Sequence, residues 1–197
     1  MTRVDYGATT ICISDKNSDT VDLYVKNTGK GKTKQAYLRY CLLNKGTSRN
    51  LPVVHKEYRK FVNFDDMSKV HGINVPKEII PDDFFECYGY DMKFRRFTMK
   101  RYQMLDDDMV MLCNRNLDNV FNLLCDLFDG MDLDLVGHCT FDTLRNQSKS
   151  KQLRPLFREL VYAANYIGSC GLCGIIDFKP FNLGIQGRTL ILVDPIL

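Results

Sequence analysis

The sequence predicts an α+β fold with a strand-rich first part and a helical second part closed by a hairpin. Three patterns carry that expectation. Short apolar or alternating runs, separated by turn residues, fill the first 42 positions. Apolar residues then recur at three- and four-residue spacing, through Val54, Tyr58, Phe61 and Phe64 and again through Leu156, Leu160, Ala163 and Ile167. Near the end, two apolar runs flank Gln186-Gly187-Arg188.

Taken in order, Thr9-Thr10-Ile11-Cys12-Ile13 and Val21-Asp22-Leu23-Tyr24-Val25 bracket a polar Asp-Lys-Asn-Ser-Asp turn and predict a hairpin. A third strand is expected over residues 35–42, after a Gly-Lys-Gly turn. Asn50 as a cap, Pro52 in the first turn and the period through Phe64 predict a helix over about residues 51–70, stopped by His71 to Pro76. Residues 84–90 and 93–104 read as two more strands. Leu117, Val120, Phe121, Leu124 and Leu127 mark a helix that breaks at Gly130. A polar connection at 145–152 leads to the helix over residues 153–167 and to the terminal hairpin, so the expected division is 1–104 and 105–197.

Composition sets the outer bounds. A chain of 197 residues with 45% apolar content buries about 70% of its unfolded surface and needs no staples. The eight cysteines are scattered through apolar runs, which predicts reduced thiols in a cytoplasmic protein, a host cell's cytoplasm included. Cys170-Gly-Leu-Cys173 is a lone CxxC and is expected to pack in the core. No apolar run approaches the roughly 18 residues that span a bilayer, so no membrane partner is expected. A net charge of +3 points to no nucleic acid, and the basic run Lys93, Arg95, Arg96, Lys100 and Arg101 reads as a solvated strand face. His55, His71 and His138 read as surface or loop residues.

The chemistry concentrates after the last helix. Asp177, Lys179 and Asn182 follow it at short spacing, and the hairpin ends at Asp194. A carboxylate that accepts a hydroxyl proton, a cation beside a phosphate and two oxygen ligands for Mg²⁺ are what phosphoryl transfer asks of a protein. Asp177, Lys179, and Asn182 with Asp194 suit those tasks in that order.

This constellation resembles the catalytic core of the protein kinase family, in which a loop Asp is followed by Lys two residues on, by Asn five residues on, and by a hairpin leading to a metal-binding Asp. The Lys179-Pro180 pair is similar to the serine/threonine type. The resemblance implies a kinase-like bilobal fold, ATP and Mg²⁺ as cofactors, and a protein substrate or activating partner. Two departures stand out: Ile175-Ile176 replaces the family's His-Arg, and Pro195-Ile196 replaces its Phe-Gly. With Leu197 as the last residue, the expected plan is a truncated one, similar to compact effector kinases and viral or phage kinases.

In the first lobe the resemblance covers element order alone, and two alignments compete. One makes Gly29 to Tyr37 a glycine-rich loop and gives the phosphate-pairing lysine to the strand holding Lys56. The other covers the nucleotide with the 9–27 hairpin and pairs helical Glu57 with a cation at Arg39, or at Lys45 beyond it; Pro52 and the helical period favour it. Met99 is the residue expected beside the adenine. A catalytically weak pseudokinase that binds another kinase or regulator, and a small-molecule kinase, are the alternatives.

Overall fold

The computed structural model describes residues 2–73, 75, 80, 84, 92–105, 121–122, 124–126, 128–138, 153–179 and 182–196. The fold is mixed α+β. It divides into two compact units, Met1–Leu42 with Val54–Arg101, and Leu43–Val53 with Tyr102–Leu197.

The first unit is built on a five-stranded antiparallel sheet of order β1-β2-β3-β5-β4. Its strands are β1 (Thr2–Tyr6), β2 (Thr10–Asp15), β3 (Thr20–Lys26), β4 (Val54–Val62) and β5 (Phe94–Lys100). β2 and β3 form the expected hairpin, with Thr10 opposite Val25. Alternation along the strands separates two faces. Ile11, Ile13, Tyr24 and Phe94 on one face form a core with Phe64 and Met67 of α2 (Phe64–His71) and with Val75, Ile80 and Phe84. Asn63 caps α2 by accepting the Asp66 amide, and Gly72 closes it in the left-handed region.

Helix α1 (Gly29–Leu43) joins β3 to β4, where a third strand was expected. The residues explain the difference. Ala36, Tyr37, Leu38, Tyr40 and Cys41 are all buried, so the helix shows no one-sided stripe, and a continuous apolar run reads equally well as a buried strand. Its start lies hard against the end of β3: Gln35 Nε2 donates to Lys26 O at 2.9 Å, and a Cβ on Gly31 would stand 2.2 Å from that same oxygen.

The helix expected over 51–70 is likewise corrected, to strand β4 followed by the shorter α2. Register shifts between Val54 and Lys56 and between Glu57 and Phe61 interrupt the ladder with β5. Such bulges reset the two-residue alternation, so apolar side chains return at spacings of four and three as in a helix. The basic run is a solvated face only in part: Lys93 is exposed, but Arg95 and Arg96 are not. Arg95 and Arg96 side chains are 14% and 20% exposed, Arg96 donates to Asp22 Oδ2 at 2.7 Å, and the guanidinium of Arg95 covers the Phe61 ring.

The second unit holds a three-stranded antiparallel sheet, β6 (Gln103–Met104), β7 (Leu183–Gln186) and β8 (Thr189–Leu192), in the order β6-β7-β8. β7 and β8 are the expected terminal hairpin, turned at Gly187 with φ 62°. The 43–53 segment is fastened to β8: Asn50 Nδ2 donates to Leu190 O, and Leu192 N donates to Asn50 O. Helix α3 (Leu133–His138) lies against α4 (Leu153–Ser169), the expected long helix, whose Leu156, Phe157, Leu160, Ala163 and Ile167 are buried. Phe128, helical like residues 121–122 and 124–126, meets Phe157 at 4.8 Å between centroids. The break at Gly130 is met, with φ 76°. Cys170 and Cys173, expected in the core, are both exposed around the Gly171 turn that ends α4. The expectations for 85–90, 106–120 and 145–152 lie outside the described residues. No helix among those described is long and apolar enough to cross a membrane.

Two outcomes follow for the first unit. Gly31→Ala pushes a methyl into the Lys26 carbonyl, a backbone contact that cannot swing aside, so denaturant unfolding should show a loss of at least 1–3 kcal/mol, roughly. An unchanged midpoint contradicts the close approach.

His71, expected at the surface, is instead held beneath the sheet. Its Nε2 is 2.8 Å from the Tyr24 hydroxyl and 3.6 Å from Asp22 Oδ2. Burial lowers its pKa from the usual 6.5; the Asp22 carboxylate opposes that shift and the Arg96 guanidinium adds to it. Burial raises the Tyr24 phenol as well. The unfolded chain therefore binds the extra proton first, and the stability due to His71 is complete above the unfolded value and lost as pH falls below it. Thermal unfolding should show the wild type losing stability between about pH 7 and 5, and His71→Gln, which keeps an acceptor for Tyr24, losing less. Equal losses would remove His71 as the cause.

Candidate active site

Helix α4 ends where glycine lets the chain reverse. Gly171 takes φ 70°, its amide donates to Gly168 O, and Leu172 N donates to Ile167 O, the paired bonds of a left-handed helix cap. The chain then runs extended through Gly174 to Ile176. Leu133 N donates to Gly174 O, Ile176 N to Met131 O and Gly130 N to Ile176 O, each at 2.8–3.0 Å. Ile176 also bridges to Ile196, and Asp177 N donates to Pro195 O at 2.9 Å. Residues 174–177 are thus gripped from two sides by backbone. Ile176 and Ile196 are buried, which is where apolar residues at these positions serve the fold.

Asp177 emerges from this grip with its side chain 14% exposed. Asn182 Nδ2 donates to Asp177 Oδ2 at 2.9 Å and to the Asp177 carbonyl at 3.0 Å. Lys179 Nζ stands 3.1 Å from Asp177 Oδ1, with about half of its side chain in solvent. Asn182 N donates to Lys179 O, closing the loop, and Asp194 N donates to Asn182 O at 2.8 Å. The four residues therefore form one connected cluster on a single loop and the end of β8. Pro180 and Phe181 lie outside the described residues.

The cluster's electrostatics follow from its partners. The Asp177 carboxylate accepts a hydrogen bond from a neutral amide on one oxygen and forms an ion pair with an ammonium on the other, an arrangement that holds it in one orientation. Both Asn182 Nδ2 bonds go to Asp177, and Oδ1 is the acceptor atom of the same side chain. This oxygen and the Asp194 carboxylate are hard donors of the type Mg²⁺ takes alongside water and phosphate oxygens. Among the described residues no group of three or more His, Cys, Asp or Glu comes together, and an Asn with one Asp is the sparse set that Mg²⁺ accepts.

The underside of the loop carries residues that no motif announced. Phe178 is buried, its amide donates to Asp129 Oδ1 at 2.8 Å, and its carbonyl accepts from Cys125 Sγ at 3.7 Å. Burial, reinforced by Asp129 and Asp126, pushes the Cys125 thiol up to about 11, so it stays protonated and donates. In the sequence, Phe128-Asp129-Gly130 reads only as a helix end.

Arg39, Glu57 and Met99 belong to the first unit. Arg39 and Glu57 do meet, but on exchanged elements: the cation is on helix α1 and the carboxylate on strand β4. Arg39 Nε and Nη2 reach Glu57 Oε1 at 2.9 and 2.7 Å, and Arg95 Nε stands 3.7 Å from the same oxygen. Lys45 falls past the end of α1, and Lys56 is an exposed residue of β4 with Nζ over the Tyr58 ring. Gly29 to Gly31, the alternative glycine-rich loop, is the first turn of α1. Met99 is 4% exposed on β5, between Val21 and Val54, on the last long strand before the chain enters the second unit. Comparison of the chain with protein-family models, with curated proteins and with solved structures finds no match.

Proposed function

We propose that the protein is an ATP- and Mg²⁺-dependent phosphotransferase of the protein kinase type acting on a protein hydroxyl. The observation that supports this reading is the double hydrogen bond from Asn182 to Asp177, which joins a carboxylate, with an ammonium beside it, to an amide whose backbone carbonyl accepts from Asp194. In this reading Asp177 orients the attacking hydroxyl and accepts its proton. Lys179 places positive charge beside the transferred phosphate, and its exposed half leaves it able to exchange Asp177 for that oxyanion. Asn182 and Asp194 would hold Mg²⁺, which supplies neutralisation of charge on the nucleotide's phosphates.

The first unit supports the reading through its element order, a helix inserted after the third strand of an antiparallel sheet, and through the Arg39–Glu57 pair. The family places its lysine on the third strand and its glutamate on the helix. Here the signs are exchanged. Lys26 ends β3, but its Nζ lies 3.5 Å from the centroid of Phe84, on the α2 side of the sheet, whereas Arg39 serves the side that carries Glu57. Arginine keeps the charge and changes its geometry, which favours slow turnover.

A binding role without catalysis is the second reading, favoured by Ile176 and Ile196. These buried, bridged residues stand where the family has Arg and Phe-Gly neighbours, and they keep the loop closed without any charged contact.

Incubation of the full chain with γ-labelled ATP, Mg²⁺ and a cell extract separates the two. Transfer to protein should appear with the wild type and fall about 10²–10⁴-fold in Asp177→Ala. Labelling unchanged by Asp177→Ala removes the assignment. Absent labelling, with partner capture that survives Asp177→Ala, establishes the binding role instead, and label on small hydroxylated metabolites alone moves the substrate to that class.

A further inference from the structure

The peptide unit that follows Asp177 is tied at both polar ends. Its carbonyl, Asp177 O, accepts from Asn182 Nδ2 at 3.0 Å, and its N–H, on Phe178, donates to Asp129 Oδ1 at 2.8 Å. In a planar trans peptide these two groups point in opposite directions, so the two bonds fix the plane against rotation from both sides. Only the first partner belongs to the loop. Asp129 arrives from the 121–129 stretch, 49 residues before Phe178 in sequence.

We propose that Asp129 is a positioning residue, which holds the Asp177–Phe178 peptide plane and through it the orientation of the Asp177 carboxylate. The inference rests on the phosphotransfer reading for its catalytic consequence. Three observations single Asp129 out. Ile175 and Ile176, where the family has His-Arg, contribute backbone bonds alone and no side-chain polar contact to the loop. A carboxylate acceptor makes a shorter and stronger bond than a neutral one, so Asp129 is the firmest side-chain tie the Phe178 amide has. Cys125 and Gly130, four residues before and one residue after it, bind Phe178 O and Ile176 O, so Asp129 sits at the middle of a three-point cradle under the loop.

If Asp129 is lost, the peptide plane keeps its Asn182 tie and loses the opposing one. The carboxylate of Asp177 then drifts from its line to the hydroxyl, which costs turnover while leaving the nucleotide's own contacts intact. Small misplacements of this kind cost up to about 10²-fold in rate.

The test uses the full chain as wild type, Asp129→Ala and Asp129→Asn, with Asp194→Ala as the blank. Asparagine keeps an oxygen acceptor for the Phe178 amide, so it separates the bond from the charge. Expected are a kcat lowered about tenfold to a hundredfold in Asp129→Ala, with KM for Mg·ATP unchanged and kcat largely restored in Asp129→Asn. Turnover per folded molecule that is equal in wild type and Asp129→Ala, or alanine and asparagine variants that fall alike, overturns the proposal.

Amide exchange measured on the same proteins gives a reading independent of activity. The Phe178 N–H should exchange faster in Asp129→Ala and stay protected in Asp129→Asn, while α4 amides are unaffected. Unchanged Phe178 protection in the alanine variant overturns the proposal as well. A wild type that transfers no phosphate sinks the phosphotransfer reading, and the exchange result then decides the role of Asp129 in holding the loop.

Discussion

The candidate site depends on one side-chain amide. Asn182 spends both Nδ2 hydrogens on Asp177, one on its carboxylate and one on its carbonyl, while its own backbone links Lys179 to Asp194. Four functional groups from two segments become a single hydrogen-bonded body. Without that amide the Asp177 carboxylate would keep, among the described residues, a half-exposed lysine as partner, and an ion pair of that exposure holds a geometry weakly. The same side chain carries an amide oxygen, a hard donor of the kind that Mg²⁺ accepts.

The first unit solves a different problem, which is how to keep charge inside a small sheet. Asp22 is satisfied by Arg96 and by Thr98, at 2.7 and 2.5 Å, and the aromatic rings of Tyr24 and Tyr58 flank the same guanidinium. On the other side Glu57 sits between Arg39 and Arg95. Each carboxylate faces more than one cationic or hydroxyl group, the arrangement that makes burial of charge tolerable. Arg95 Nε and Arg96 Nε are left buried without hydrogen bonds, and their guanidinium planes lie against aromatic rings instead.

What the sequence disclosed, and what it hid, follows from the range of the interactions concerned. The 177–182 cluster was legible because Asp177, Lys179 and Asn182 interact within six residues of chain, and the following hairpin carries Asp194 by a short turn. The α4 pattern was legible because one face alone is apolar. Helix α1 was hidden because nearly every side chain from Thr33 to Cys41 is buried, which erases the amphipathic signal. Strand β4 was hidden by two bulges, which depend on pairing with β5 some forty residues away. The meeting of Arg39 with Glu57 could be anticipated from charge, but not the elements that present it. Asp129 and His71 carried no local signal, since their roles arise from partners 49 and 47 residues away.

Binding of ATP to the purified full chain, measured by calorimetry with and without Mg²⁺ in the wild type and in Asp194→Ala, tests the central claim most directly. A site made of Asn182 and Asp194 oxygens predicts binding that requires Mg²⁺ and weakens at least tenfold, roughly, when the Asp194 carboxylate is removed. Nucleotide binding that ignores Mg²⁺ and survives Asp194→Ala, or no nucleotide binding at all, would contradict it.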